Sequence, residues 1–111
     1  MTKIANIYGL LCELDIPVTY RQFSGPKESI PDPPYIAYYE GRSDNTGADN
    51  TVLAENISVV VELYTDCCRD FDLEYRLKAL LLKNGIFYNT DHADIQEEDI
   101  HIAYFNFTLT E

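Results

Sequence analysis

The stretch "ENISVVVELYT" (residues 55–65) constrains this chain more than any other. Ile57, Val59, Val61 and Leu63 fall on one side of an extended strand, and Ser58, Val60, Glu62 and Tyr64 on the other. A period of two over this many residues is incompatible with a helix and specifies a half-buried strand. The first set is the better core face. A strand of this kind needs partners, and four further runs offer themselves. "YIAYYE" (35–40) is rich in strand-forming residues and follows two prolines that belong outside a sheet interior. "HIAYFNFTLT" (101–110) places Ala103, Phe105, Phe107 and Leu109 on one face. "PVTYRQF" (17–23) and "IFY" (86–88) read as short strands.

Two segments carry helical periodicity. Ile4, Ile7, Tyr8, Leu11 and Leu14 form one stripe, with Thr2 as a candidate N-cap and Pro17 ending the helix near Asp15. Residues 70–84, "DFDLEYRLKALLLKN", form the second helix. Asp70 is its expected cap, acidic residues occupy its first turn, Lys83 its last, and Gly85 stops it. The order α-β-β-β-α-β-β predicts an α+β domain, with a mostly antiparallel sheet of four to five strands and two helices packed on one face. At 111 residues the chain is one domain, 1–111. Between the strands at 35–40 and 55–65 lies "EGRSDNTGADN", which reads as a long flexible loop at about 41–53. "NTDHADIQEED" (89–99) reads as a polar link.

The second helix has two apolar faces. Leu73, Leu77, Leu80 and Leu81 cluster on one side, and Phe71, Tyr75, Ala79 and Leu82 on nearly the opposite side. A helix lying on a sheet needs one stripe. The second is covered either by the first helix or by a neighbouring subunit. Phe71, Tyr75 and Leu82 are therefore the candidate subunit contacts, and Tyr39, Arg42, Asp44 and Asp49 the candidate contacts of the projecting loop.

Charge narrows the function further. Nineteen acidic against eight basic residues give a net charge of −11. Such a surface repels the phosphates of nucleic acid and of anionic lipid. The N-terminal "MTKIANIYGLLCEL" is periodic rather than continuously apolar, so no secretory signal is expected, and no run approaches a membrane span. Three cysteines, Cys12, Cys67 and Cys68, are then expected as reduced thiols.

Candidate chemistry is sparse. "DNTGADN" (44–50) lacks the ligand spacing of a calcium loop. Adjacent Cys67 and Cys68 do not make the CxxC of zinc or redox sites, and His92 and His101 do not complete one by spacing. The carboxylates of "QEEDI" (96–100) read as solvated charges. No catalytic, metal-binding or cofactor-binding residue is assigned, and no enzymatic activity is expected.

The phrases "PPYIAYY", "GADN", "ENISVVVELYT", "DFDLEYRLKALLLKNGIFY" and "IHIAYFNFTL", in this order, resemble the small tail-completion proteins of long-tailed bacteriophages and prophages, also called tail terminators or head–tail joining proteins. The resemblance covers about residues 33–110. It implies a structural virion protein of the tail and neck, made in the bacterial host cytoplasm. Such proteins form a ring, usually hexameric, that caps the tail tube, stops its growth and meets the head connector while DNA passes through the hole. It implies no cofactor, no membrane partner and no sequence-specific DNA binding. The partners implied are further copies of the chain, the tail tube protein and the head-completion protein. Two competing readings remain. One is an acidic binding module or inhibitor, a DNA mimic or anti-host factor, acting on a basic protein. The other is a small enzyme using the carboxylates and histidine of 94–101.

Overall fold

A computed structural model describes residues 2–23, 25–26, 29–48, 51–66 and 69–111. Helix α1 (Ile7–Leu11) is flanked by 3-10 turns at Ile4–Asn6 and Cys12–Leu14. The strands are β1 (Val18–Tyr20), β2 (Tyr35–Ala48), β3 (Thr51–Asp66), β4 (Tyr88–Ile95) and β5 (Ile100–Thr110). Helix α2 (Phe71–Lys83) connects β3 to β4. The class is α+β, with one five-stranded sheet in the order β1-β2-β3-β5-β4.

The sheet is mixed. β2–β3, β3–β5 and β4–β5 are antiparallel, whereas β1 pairs with β2 in parallel, from Val18 opposite Ile36 to Tyr20 opposite Tyr38. The Gly- and Pro-containing connection between β1 and β2 supplies the dozen or so residues that a parallel return requires. β5 lies between β3 and β4, so spatial order departs from chain order.

The alternation in β3 sets the core. Val61 lies between Tyr38 and Phe105, Leu63 between Ile36 and Ala103, and Val59 opposite Phe107. These side chains form one apolar cluster with Ile7, Leu10, Leu11 and Leu14 of the first helical segment and Leu73, Leu77 and Leu81 of α2. Both helices thus cover the same face of the sheet. The buried stripe of the first segment uses Leu10 where Tyr8 was expected, and Tyr8 is half exposed. Nor does Thr2 cap it. The Ile4 N–H instead donates to the Glu111 carboxylate at 2.7 Å, and the Thr2 hydroxyl donates to the Asn84 carbonyl at 3.4 Å.

The ends of α2 follow their local chemistry. The Leu73 N–H donates to Asp70 Oδ1 at 3.0 Å, one of the donors that a helix start leaves without a helical partner. At the other end the Gly85 N–H donates to Leu82 O at 3.0 Å and the Ile86 N–H to Leu81 O at 2.9 Å, a Schellman closure with Gly85 at φ 74°. A Cβ on Gly85 meets no atom within 4 Å, so its cost is the left-handed backbone alone. Gly85→Ala is expected to lower stability by about 1 kcal/mol, and Asp70→Ala by about the same. Urea titration of each variant, with an unchanged slope, checks both.

Two expectations about connections need correction. The stretch 41–53, expected as a loop, largely continues the sheet: β2 runs to Ala48 and β3 begins at Thr51, with Ala48 opposite Thr51. The pairing shifts register between Glu40 and Ser43 and again between Thr46 and Gly47, irregularities of the kind that bend and twist a ribbon. β5 stops pairing at Thr110 opposite Asn56, and Glu55 exchanges two backbone hydrogen bonds with Glu111. Beyond that point the β2–β3 ribbon continues alone, for about 14 Å at normal strand rise. This arm contributes to an elongated shape of 53 × 30 × 23 Å. The second correction concerns 89–99. Its first part is β4, paired with β5 from Tyr88 opposite Phe107 to Ile95 opposite Ile100, and only Gln96–Glu98 form a 3-10 turn. β4 is an edge strand with mostly exposed side chains, which is why its sequence is polar.

Candidate assembly surfaces and a buried polar cluster

Helix α2 buries Leu73, Leu77 and Leu81 and leaves its second stripe bare. Phe71 is 56% exposed, Tyr75 67% and Leu82 52%. The first helical segment approaches a different flank: Arg76 Nη2 donates to the Leu14 carbonyl at 3.2 Å, and a groove between the helices is lined by Glu13, Leu14, Arg76, Ala79, Leu80 and Lys83. The chain's own first helix therefore leaves Phe71, Tyr75 and Leu82 uncovered. Cations sit over two of these residues, Arg69 4.5 Å from the Phe71 ring centre and Lys78 5.5 Å from that of Tyr75. Just beyond α2, Phe87 is 84% exposed, an apolar side chain that periodicity within the helix did not single out.

The residues expected on the loop divide. Arg42 lies at the first register shift and pairs with Asp44 at 3.3 Å, both well exposed near the base of the arm. Tyr39 is not on the arm. It stands in the sheet proper, opposite Val60, on the face away from the helices. Asp49 lies outside the described residues, as do Cys67 and Cys68.

That outer face is rich in tyrosine. Tyr35 stacks on Tyr64 with ring centres 4.7 Å apart, and the Tyr64 hydroxyl donates to Glu62 Oε2 at 2.6 Å. Tyr104 lies opposite Glu62 in the neighbouring strand. Burial first, and then the Glu62 carboxylate, push the Tyr39 and Tyr104 phenols above their ordinary value. Tyr64 is pushed up furthest, by burial and then by its hydrogen bond to Glu62. The result is a half-buried surface, apolar in body and polar at the tips, that no helix among the described residues covers.

A polar cluster lies under the start of α2. Glu74, a residue of neither apolar stripe, is 2% exposed. Arg69 grips it as a fork, with Nη2 to Oε1 at 2.9 Å and Nε to Oε2 at 3.2 Å. The hydrogen bonds with Glu74 raise the Arg69 pKa. His101, also buried, sits on the core face of β5 opposite Thr65 and Asp94. Its Nδ1 lies 2.6 Å from Asp94 Oδ1 and its Nε2 3.1 Å from Nδ1 of His92 on β4. Desolvation, then Arg69, holds the His92 pKa below its ordinary value, with Glu74 opposing. The donor atoms of Glu74, His92 and His101 all lie within 4.8 Å of one another. The histidines were singled out in the sequence, but in company with Cys67 and Cys68. Glu74 was missed, because its burial depends on how α2 meets β4 and β5. The carboxylates Glu97, Glu98 and Asp99 are exposed, as expected.

Compared with known protein families and with curated proteins, the chain matches none. No helix among the described residues is long and apolar enough to cross a membrane.

Proposed function

We propose that this protein is a structural virion component, a ring-forming tail terminator that caps the tail tube and joins it to the head connector. The reading starts from the resemblance of residues 33–110 to tail-completion proteins. The observation that carries it is the second stripe of α2, which the chain itself leaves bare. A closed ring needs heterologous contacts, one patch meeting a different patch on the next copy. Phe71, Tyr75 and Leu82 supply one such patch. The protruding β2–β3 arm supplies a second element that reaches past the domain's own core. In a ring, Arg42 and Asp44 at the base of the arm are contacts with the adjacent subunit or with the tail tube protein. An acidic surface suits a channel through which DNA passes without adhering.

The test is the native mass in solution across protein concentration, by light scattering behind a sizing column, followed by imaging of the largest species. A discrete ring of several subunits is expected, and adding it to growing tail tubes is expected to stop their elongation. A protein that stays monomeric and leaves tube length unchanged overturns the proposal.

A further inference from the structure

We propose that Glu74, His92 and His101 form a binding site for a divalent transition metal of the zinc class. The inference is independent of the assembly reading and uses only the geometry of the cluster.

In a tetrahedral site with metal–nitrogen bonds of about 2.0–2.1 Å, two ligating nitrogens stand about 3.3 Å apart. His92 Nδ1 and His101 Nε2 are 3.1 Å apart, already at ligand spacing and facing each other. Asp94 explains why His101 presents that atom. Its carboxylate accepts the Nδ1–H of His101 at 2.6 Å, which fixes the tautomer and leaves the Nε2 lone pair free to bind. A metal-ligating histidine almost always has such a carboxylate, carbonyl or water behind it. Glu74 offers the third donor from α2, within 4.8 Å of both nitrogens. The Arg69 fork uses one lone pair on each Glu74 oxygen, and an ionised carboxylate has about four such sites, so the same group can accept from Arg69 and bind a cation. Arg69 then stands behind Glu74 as Asp94 stands behind His101.

The donor set selects the metal. Two imidazoles and one carboxylate suit zinc and its neighbours, whereas calcium and magnesium take oxygen ligands. His92 is exposed, so the ion has a path from solvent, and three protein ligands leave a fourth position for water. Until an ion arrives, one proton between His92 and His101 satisfies the pair. On loading, that proton moves through solvent to Nε2 of His92, so both imidazoles stay neutral and the two facing nitrogens turn to the metal. The ion would tie the first turns of α2 to the β4–β5 edge, and so fix the segment that carries Phe71 and Tyr75.

The experiment uses the full chain, stripped with a chelator and titrated with zinc by calorimetry and with cobalt by absorption. One equivalent per chain is expected, with a four-coordinate cobalt spectrum lacking a thiolate-to-metal band. The unfolding midpoint should rise by on the order of 8 °C with zinc at a hundredfold excess over Kd. Asp94→Asn is expected to weaken binding about 10- to 100-fold. His92→Ala should weaken it more, and because His92 is exposed this variant should keep the fold, as circular dichroism will report. Absence of binding by the intact chain overturns the proposal. Undiminished binding by His92→Ala does so too. So does a cobalt thiolate band that disappears in Cys67→Ser/Cys68→Ser, since that places the ion on sulfur.

Discussion

Phe71→Glu/Tyr75→Glu is expected to leave a folded monomer that no longer assembles. Aromatic anchors at the centre of an interface each contribute about 2 kcal/mol or more on truncation, so losing two weakens association by about a thousandfold. Placing carboxylates in an apolar contact adds desolvation to that loss. The fold should not suffer. Both side chains are more than half exposed, and neither belongs to the core cluster. Glutamate is at least as good a helix former as phenylalanine or tyrosine. Phe71 is the first residue of α2, where a negative charge complements the helix dipole. The measurement is sedimentation velocity over a range of concentrations, alongside far-ultraviolet circular dichroism of the same samples. A variant that is folded yet monomeric where the parent is multimeric places the contact on this stripe. A variant that assembles as the parent does moves the contact elsewhere, and the outer tyrosine face around Tyr39 and Tyr64 becomes the next surface to change.

The parts of the fold that were legible are those where burial repeats along the chain. Ile57, Val59, Val61 and Leu63 are all buried, as their alternation required, and so are Ala103, Phe105, Phe107 and Leu109. Asp70 and Gly85 bound α2 as their chemistry predicts. What escaped lies where a strand has no buried face to advertise it. Among the described residues the ribbon beyond Asn56 has only its partner strand for company, so "SDNTGA" (43–48) carries turn-forming residues through a paired region and reads as a loop. β4 escaped for a related reason: its side chains from Asn89 to His92 are exposed, and its backbone pairing with β5 leaves no trace in hydrophobicity. The polar cluster is harder still. His92 and His101 meet because β4 and β5 form a hairpin, and Glu74 joins them only through the docking of α2. Composition held the histidines and the carboxylate but not their meeting. The bare stripe of α2 was visible as a periodic pattern. Whether the first helix covered it was decided by a flank, Arg76 against Leu14, that periodicity does not rank.

Arg69→Leu is expected to be far more damaging than Arg69→Leu/Glu74→Leu. Glu74 is almost wholly removed from water, and Arg69 is the cation that neutralises it through two hydrogen bonds. Removing Arg69 leaves a buried carboxylate without the two hydrogen bonds and the positive charge that offset its burial. A charge stranded in this way lowers the unfolding midpoint by on the order of 10 °C. Removing both groups eliminates the stranded charge, and leucine at position 74 lies beside Leu73 and Leu77 of the core-facing stripe, so most of the loss should return. The two changes are thus non-additive, with the second offsetting the first. Thermal unfolding of both single variants and the double variant in chelator-treated buffer measures this directly. If Arg69→Leu behaves as an ordinary surface change, the pair does not sustain Glu74. Zinc gives the same experiment a second arm. An ion held by Glu74, His92 and His101 replaces the missing guanidinium as countercharge, so the deficit of Arg69→Leu should shrink when zinc is added, while the double variant, which lacks Glu74, should gain much less.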